Sequence, residues 1–210
     1  MSVIARNRFL PALLLALATL AFLFLEWIGG ATFPLDVAAI RASGQLRAAH
    51  PQVAGAIIFY THLGSAYALL TVTAASALWL WWHKQRARAA ALLTAVLGGR
   101  IGIEVIKLLV DRARPSLEAH PVVVHSQSFP SAHAGNSMLT FLALALFVAP
   151  ERWRRLAVAV AVTASLAMGA TRPLLGVHWP SDVLAGWIYG ATAALLAWWW
   201  LSRRGDRSAA

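Results

Sequence analysis

Apolar residues do not alternate along this chain; they run. Long apolar stretches cover about 9–28, 62–82, 89–110, 134–150, 156–171 and 183–201, the fourth and fifth being the short ones. A helix needs roughly 20 residues to cross the hydrocarbon core of a bilayer. The pattern therefore predicts an all-α, polytopic membrane protein built as a six-transmembrane-helix bundle. Helices suit such continuous segments because each satisfies its own backbone N–H and C=O groups, for which a bilayer offers no water. The first run follows Arg6 and Arg8 as a signal peptide would, yet it ends at Glu26 and Trp27 without a convincing cleavage site and is read as a retained helix.

The connections orient the bundle. Arg6 and Arg8, then Lys84, Arg86 and Arg88, then Arg152, Arg154 and Arg155, then Arg203, Arg204 and Arg207 occupy alternate connections. By the positive-inside rule both termini are assigned to the cytoplasm, and residues 30–61, 111–133 and 172–182 to the opposite face. Trp79, Trp81 and Trp82, with Trp198, Trp199 and Trp200, read as an aromatic belt at the cytoplasmic ends. Within 31–61, "PLDVAAIRASGQLRAAH" reads as an amphipathic surface helix over the outer end, with a plain linker as the alternative. Composition agrees: 60% of residues are hydrophobic and 12% charged, where a soluble domain carries about 25% charged. The net charge of +10 is spread over the connections and forms no single patch, so no nucleic-acid partner is expected. The absence of cysteine excludes disulfide and thiol chemistry. The whole chain, 1–210, is read as one integral-membrane domain.

The spans leave some polar residues unexplained. Taken singly, Lys107 could snorkel, Arg112 and Arg114 could anchor at the interface, His133 could follow a helix start and Asp182 could cap a helix. Together, three cations, two histidines and an aspartate fall at the same end of several helices, and ionisable groups near membrane spans mark sites. Lys107, Arg114 and Arg172 supply permanent positive charge and donors matched to phosphate oxygens. Ser131 and the backbone amides of Ala132 and His133 open the helix after "FPSAH" and can face the same anion. His178, four residues before Asp182, suits nucleophilic attack with a carboxylate orienting the imidazole, and His133 stands where a general acid is wanted. The chain has eight acids. Those on the outer side, Asp36, Asp111, Glu118 and Asp182, form no paired-aspartate motif, and His120 and His125 read as loop residues, so no metal or other cofactor is expected. Arg100 and Glu104 read as an i, i+4 ion pair that orients Lys107.

Three motifs follow in order: Lys107, six residues and Arg114-Pro115; Pro130-Ser131-Ala132-His133; then Thr171-Arg172, five residues, His178, three residues and Asp182. They resemble the type 2 phosphatidic acid phosphatase superfamily of membrane lipid phosphatases, relatives of vanadium-dependent haloperoxidases. Ala132 stands where that family usually has glycine and Thr171 where it has serine; "THLGS" at 61–65 is also similar to the family, with Gly64 placed for close helix packing. The resemblance implies that Lys107, Arg114, Arg172, Ser131 and backbone amides hold the phosphate. It also implies that His178 becomes a phosphohistidine, Asp182 supports it and His133 protonates the leaving group. The implied substrates are lipid phosphates in the bilayer: phosphatidic acid, phosphatidylglycerol phosphate or undecaprenyl diphosphate. The implied place is the cell (inner) membrane with the site on its extracytoplasmic face. A lipid phosphotransferase using the same residues, and a non-catalytic anion transporter, are the alternatives.

Overall fold

The computed structural model describes residues 33–207 and, before them, Leu14, Leu17, Ala18 and Ala21. Apart from those positions, the helix expected over 9–28 lies outside the described residues, as do Arg6, Arg8 and Glu26. Among the described residues the fold is all helical. In chain order the helices are α1 (Pro34–Ala49), α2 (Pro51–His62), α3 (Ala66–Trp82), α4 (Arg86–Val110), α5 (Ala132–Phe147), α6 (Arg154–Leu174) and α7 (Pro180–Arg207). A 3₁₀ turn, Glu151–Trp153, precedes α6.

Local chemistry sets most of the boundaries. Pro34, Pro51 and Pro180 each occupy the first turn of their helix, where the missing N–H costs nothing. Ser65 caps α3 by accepting from the Ala68 N–H at 3.3 Å. Asp111, at φ 48, ends α4 in the left-handed region. Helix α6 closes in a Schellman motif: Val177 N–H donates to Arg172 O at 3.1 Å and Gly176 N–H to Pro173 O at 2.9 Å, with Gly176 at φ 74. That reversal carries the chain from Arg172 straight back to His178.

Among the described residues, four stretches are long and apolar enough to cross a membrane: Ala54–Trp82, Arg86–Val110, Glu151–Leu174 and Pro180–Arg203. Between 28% and 39% of each span's most apolar window is buried, so most of its apolar surface faces outward, as lipid-facing helices require. The span ending at Trp82 starts earlier than the run at 62–82 because α2 is itself apolar and continues into α3 across a turn at Leu63–Ser65. Helix α5, whose 16 residues fall short of those spans, is the bundle's central post, buried along nearly its whole length.

Packing in a membrane cannot rely on expelling water between helices and depends on close approach of backbones. Gly186 and Gly190 on α7 provide it. A Cβ at Gly190 would stand 2.3 Å from Gly135 O and 2.9 Å from Leu139 N, and one at Gly186 would stand 2.7 Å from Ser131 O. Gly64 is equally confined, with Met168 Sδ 2.5 Å from its notional Cβ and His133 Cδ2 at 3.3 Å. Gly190→Ala should therefore push α5 and α7 apart and cost about 1–3 kcal/mol. This would be read as a lower unfolding midpoint in detergent, with Gly98→Ala, whose Cβ meets open space, as the unchanged control.

The apolar core of Leu80, Leu92, Val96, Leu139, Leu146 and Phe147 fills one end of the bundle. At that end the guanidinium of Arg86 lies over Trp81 at 5.0 Å, that of Arg154 over Trp198 at 5.0 Å and that of Arg203 over Trp199 at 4.7 Å. The polar cluster occupies the other end, beneath α1.

Candidate active site

Each polar residue of the cluster is set by an element boundary. Lys107 sits in the last turn of α4 and is 1% exposed, its ammonium donating to Gln127 O. Arg114 lies in the α4–α5 loop, where Nε donates to Ser126 O at 2.6 Å and Nη1 to Val177 O at 2.7 Å. Arg172, in the last turn of α6, donates from Nη1 to Thr61 Oγ1 at 2.9 Å, and the Thr171 hydroxyl, which donates to Met168 O at 2.6 Å, lies 3.0 Å from the same Thr61 oxygen. Ser131 is the N-cap of α5, and Ala132 and His133 form its first turn, whose N–H groups have no partners within the helix. Ala132 adopts ordinary helical backbone, so the glycine it replaces is not needed for φ.

His178 fixes the chemistry of the site. Arg114 Nη1 donates to its Nε2 at 3.0 Å. A guanidinium only donates, so Nε2 carries the lone pair and the ring proton sits on Nδ1. That N–H faces Asp182 Oδ2 and Ser128 Oγ, each at 3.4 Å. Burial, reinforced by the positive charges of Arg114, Arg172 and Lys107, holds the His178 imidazole well below the ordinary histidine range, so it is neutral.

Asp182 is fully buried and fully occupied. Its Oδ2 accepts from Ser128 Oγ at 2.5 Å and from the Trp179 N–H at 2.9 Å, and its Oδ1 accepts from Arg112 Nη1 at 2.6 Å. The contact to Trp179 is half of a capping box, so Asp182 closes the start of α7 and faces His178 at once. Its backbone carbonyl also accepts from Ser131 N–H at 3.0 Å, tying the α5 cap to α7. His133 lies partly exposed within electrostatic reach of Arg172, His178, Arg114 and His62.

The structure thus brings together Lys107, Arg114, Ser131, Ala132, His133, Arg172, His178 and Asp182. A model of the PAP2 superfamily matches residues 88–206. The chain belongs to the PAP2 superfamily. Among PAP2 relatives it is 35% identical over 112 residues to a lipid A 1-phosphatase of Rhizobium johnstonii, covering 49% of this chain and 43% of that protein. It is 26% identical over 148 residues to an undecaprenyl-diphosphatase of Sulfolobus acidocaldarius, covering 68% of each. The matched stretch thus spans between 43% and 68% of the length of these curated relatives. The crystal structure of a transmembrane PAP2-type phosphatidylglycerolphosphate phosphatase from Bacillus subtilis superposes with a TM-score of 0.79. That superposition covers 91% of this chain and 96% of that one at 22% identity, and it establishes the same fold.

Other residues of this PAP2 site were not singled out by sequence. Ser128 bridges His178 and Asp182, Thr61 holds Arg172, and Arg112 is no interfacial anchor: it is 8% exposed and paired with two carboxylates. His120 Nε2 is 2.7 Å from Pro115 O and His125 is exposed. Arg100 and Glu104 make no direct contact, and Arg100 Nη1 is buried without a hydrogen-bond partner, but the charge of Glu104 acts on both Arg100 and Lys107.

Proposed function

We propose that this chain is a metal-independent phosphatase that hydrolyses a lipid phosphomonoester or diphosphate through a phosphohistidine on His178. The observation that carries the reading is the setting of the His178 ring, with Nε2 3.0 Å from Arg114 Nη1 and Nδ1 3.4 Å from Asp182 Oδ2, which suits a neutral imidazole with its lone pair on Nε2. Lys107, Arg114, Arg172, the Ser131 hydroxyl and the amides of Ala132 and His133 hold the phosphate. Ser131 Oγ and Arg172 Nε support this assignment, because both are buried without a protein partner. Such atoms cost about 1–3 kcal/mol each unless a ligand oxygen satisfies them.

Nε2 attacks phosphorus, the P–O bond to the leaving group breaks with its electron pair, and His133, which takes up a proton from solvent beside the negative charge of the bound phosphate, gives that proton to the leaving oxygen. Asp182 offsets the positive charge gained by His178. His133, now neutral, takes a proton from water as the water oxygen attacks phosphorus. The P–N bond breaks, its electron pair returns to Nε2, and inorganic phosphate leaves. The metal-free reading is supported by Asp36 and Asp182, whose carboxylates are both bound to Arg112.

The substrates this reading admits are phosphatidic acid, phosphatidylglycerol phosphate, undecaprenyl diphosphate and a lipid A 1-phosphate, each entering from the bilayer. The whole chain acts as one domain with six spans, both termini in the cytoplasm and the site on the outer face of the cell membrane. A reporter fused after Arg204 should then read as cytoplasmic, and Ala119→Cys, an exposed position in a chain without cysteine, should react with an impermeant thiol reagent from outside; the reverse pattern refutes that orientation.

Phosphate release from the lipid panel in detergent tests the activity. Turnover should persist in excess chelator and be inhibited by vanadate, which adopts the five-coordinate geometry of the transferring phosphoryl group. Activity lost to the chelator and restored by magnesium or zinc would contradict the metal-free mechanism.

A further inference from the structure

We propose that Asp36, on the surface helix α1, is a positioning residue of this site, acting through Arg112 to set the charge that Asp182 presents to His178. The inference rests on the phosphohistidine reading. Asp36 lies outside the residues matched by the family model, yet it is 2% exposed and built into the cluster. Arg112 donates from Nη2 to Asp36 Oδ2 at 3.1 Å and from Nη1 to Asp182 Oδ1 at 2.6 Å. Ser181 closes the circuit: its hydroxyl accepts from Arg112 Nη1 at 2.8 Å and donates to Asp36 Oδ2 at 2.5 Å, and its N–H donates to Asp36 Oδ1 at 3.0 Å. Elsewhere on α1, Arg47 donates to Leu174 O and the Glu118 side chain lies over Gly44. The helix is therefore anchored at both ends.

The charge balance gives this circuit a task. Attack on phosphorus turns His178 into a cation already acted on by Arg114, Arg172 and Lys107. Asp182 is the carboxylate that faces it, but Asp182 and Arg112 alone form a pair of zero net charge. Asp36 makes the set one guanidinium and two carboxylates, net −1. In a buried site that difference is poorly screened. With Asp36 neutralised, Arg112 bears wholly on Asp182 and adds a further cation to the field at His178. The phosphate-holding side chains do not contact Asp36, so the step that forms the P–N bond slows while substrate binding stays.

The test uses the purified full-length protein. Asp36→Asn should lower kcat by about 10- to 100-fold, leave KM within about twofold, and slow phosphoenzyme formation in rapid quench by the same factor as kcat. Asp36→Glu, which keeps the charge, should recover most of the activity. In an Arg112→Gln background, Asp36→Asn should change kcat by less than about threefold, since the two act as one unit. Three results would overturn the role of Asp36: phosphoenzyme forming at the wild-type rate in Asp36→Asn, equal impairment of the Asn and Glu variants, or losses that multiply in the double variant. Wild-type turnover without any phosphoenzyme would instead remove the parent mechanism, and this inference with it.

Discussion

Replacing His178 with alanine is expected to abolish phosphate release from every substrate, by on the order of 10⁴-fold or more, because it deletes the atom that bonds to phosphorus. The loss should not depend on the leaving group, and lipid phosphate binding should persist, since Lys107, Arg114 and Arg172 remain. The same residue governs the acid side of the pH profile. A nucleophilic imidazole works only when unprotonated. Burial and the neighbouring cations lower the affinity of His178 for a proton, so its neutral form persists as pH falls through the usual histidine range. Accordingly, kcat/KM should show no loss attributable to His178 between about pH 7.5 and 6.5, with the protonation limb lying below the ordinary histidine value of about 6.5. A limb centred above that value, removed by substituting Arg114 or Arg172, would contradict the electrostatic account.

His133→Ala is expected to separate substrates by leaving group. The proton that His133 supplies matters in proportion to the basicity of the departing oxygen. A lipid alcohol leaving phosphatidic acid is strongly basic, and its turnover should fall by about 10²- to 10⁴-fold. The phosphate leaving a diphosphate, or a nitrophenolate leaving an artificial ester, needs little protonation, and those rates should fall by on the order of tenfold or less. Initial rates on the three substrates with one purified variant decide the matter. Equal losses on all three would show that His133 holds phosphate or the fold and donates no proton.

The motif residues could be read from the sequence because their roles need fixed residue types at short spacings along helix ends. Lys107 is placed by the last turn of α4, Ser131 and His133 by the first turn of α5, and His178 and Asp182 by a single Schellman turn and the helix that follows. Gly64 was legible for the same reason, as a small residue where a side chain, Met168, presses in. The circuit behind Asp182 was not legible. Asp36 meets Ser181 across 145 positions of chain, and an acid in the first turn of an amphipathic helix reads equally well as a dipole partner for its own N-terminus. Arg112 sits two residues before a motif arginine, and only burial distinguishes it from an interfacial anchor. Ser128 lies in a loop of polar residues where nothing in its neighbours marks it. The break at Leu63–Ser65 was hidden in turn, because Leu63 and Gly64 continue an apolar stretch and hydropathy does not register a turn.

The central claim is that His178 is the covalent nucleophile. Its most direct test is to mix the full-length protein with substrate labelled in the transferred phosphoryl group, quench in base within milliseconds, and map the label to a peptide. The account predicts a base-stable, acid-labile phosphoramidate on the peptide containing His178, formed and consumed at rates compatible with turnover and missing from His178→Ala. Label on another residue, or a phosphoenzyme that persists in His178→Ala, would contradict it.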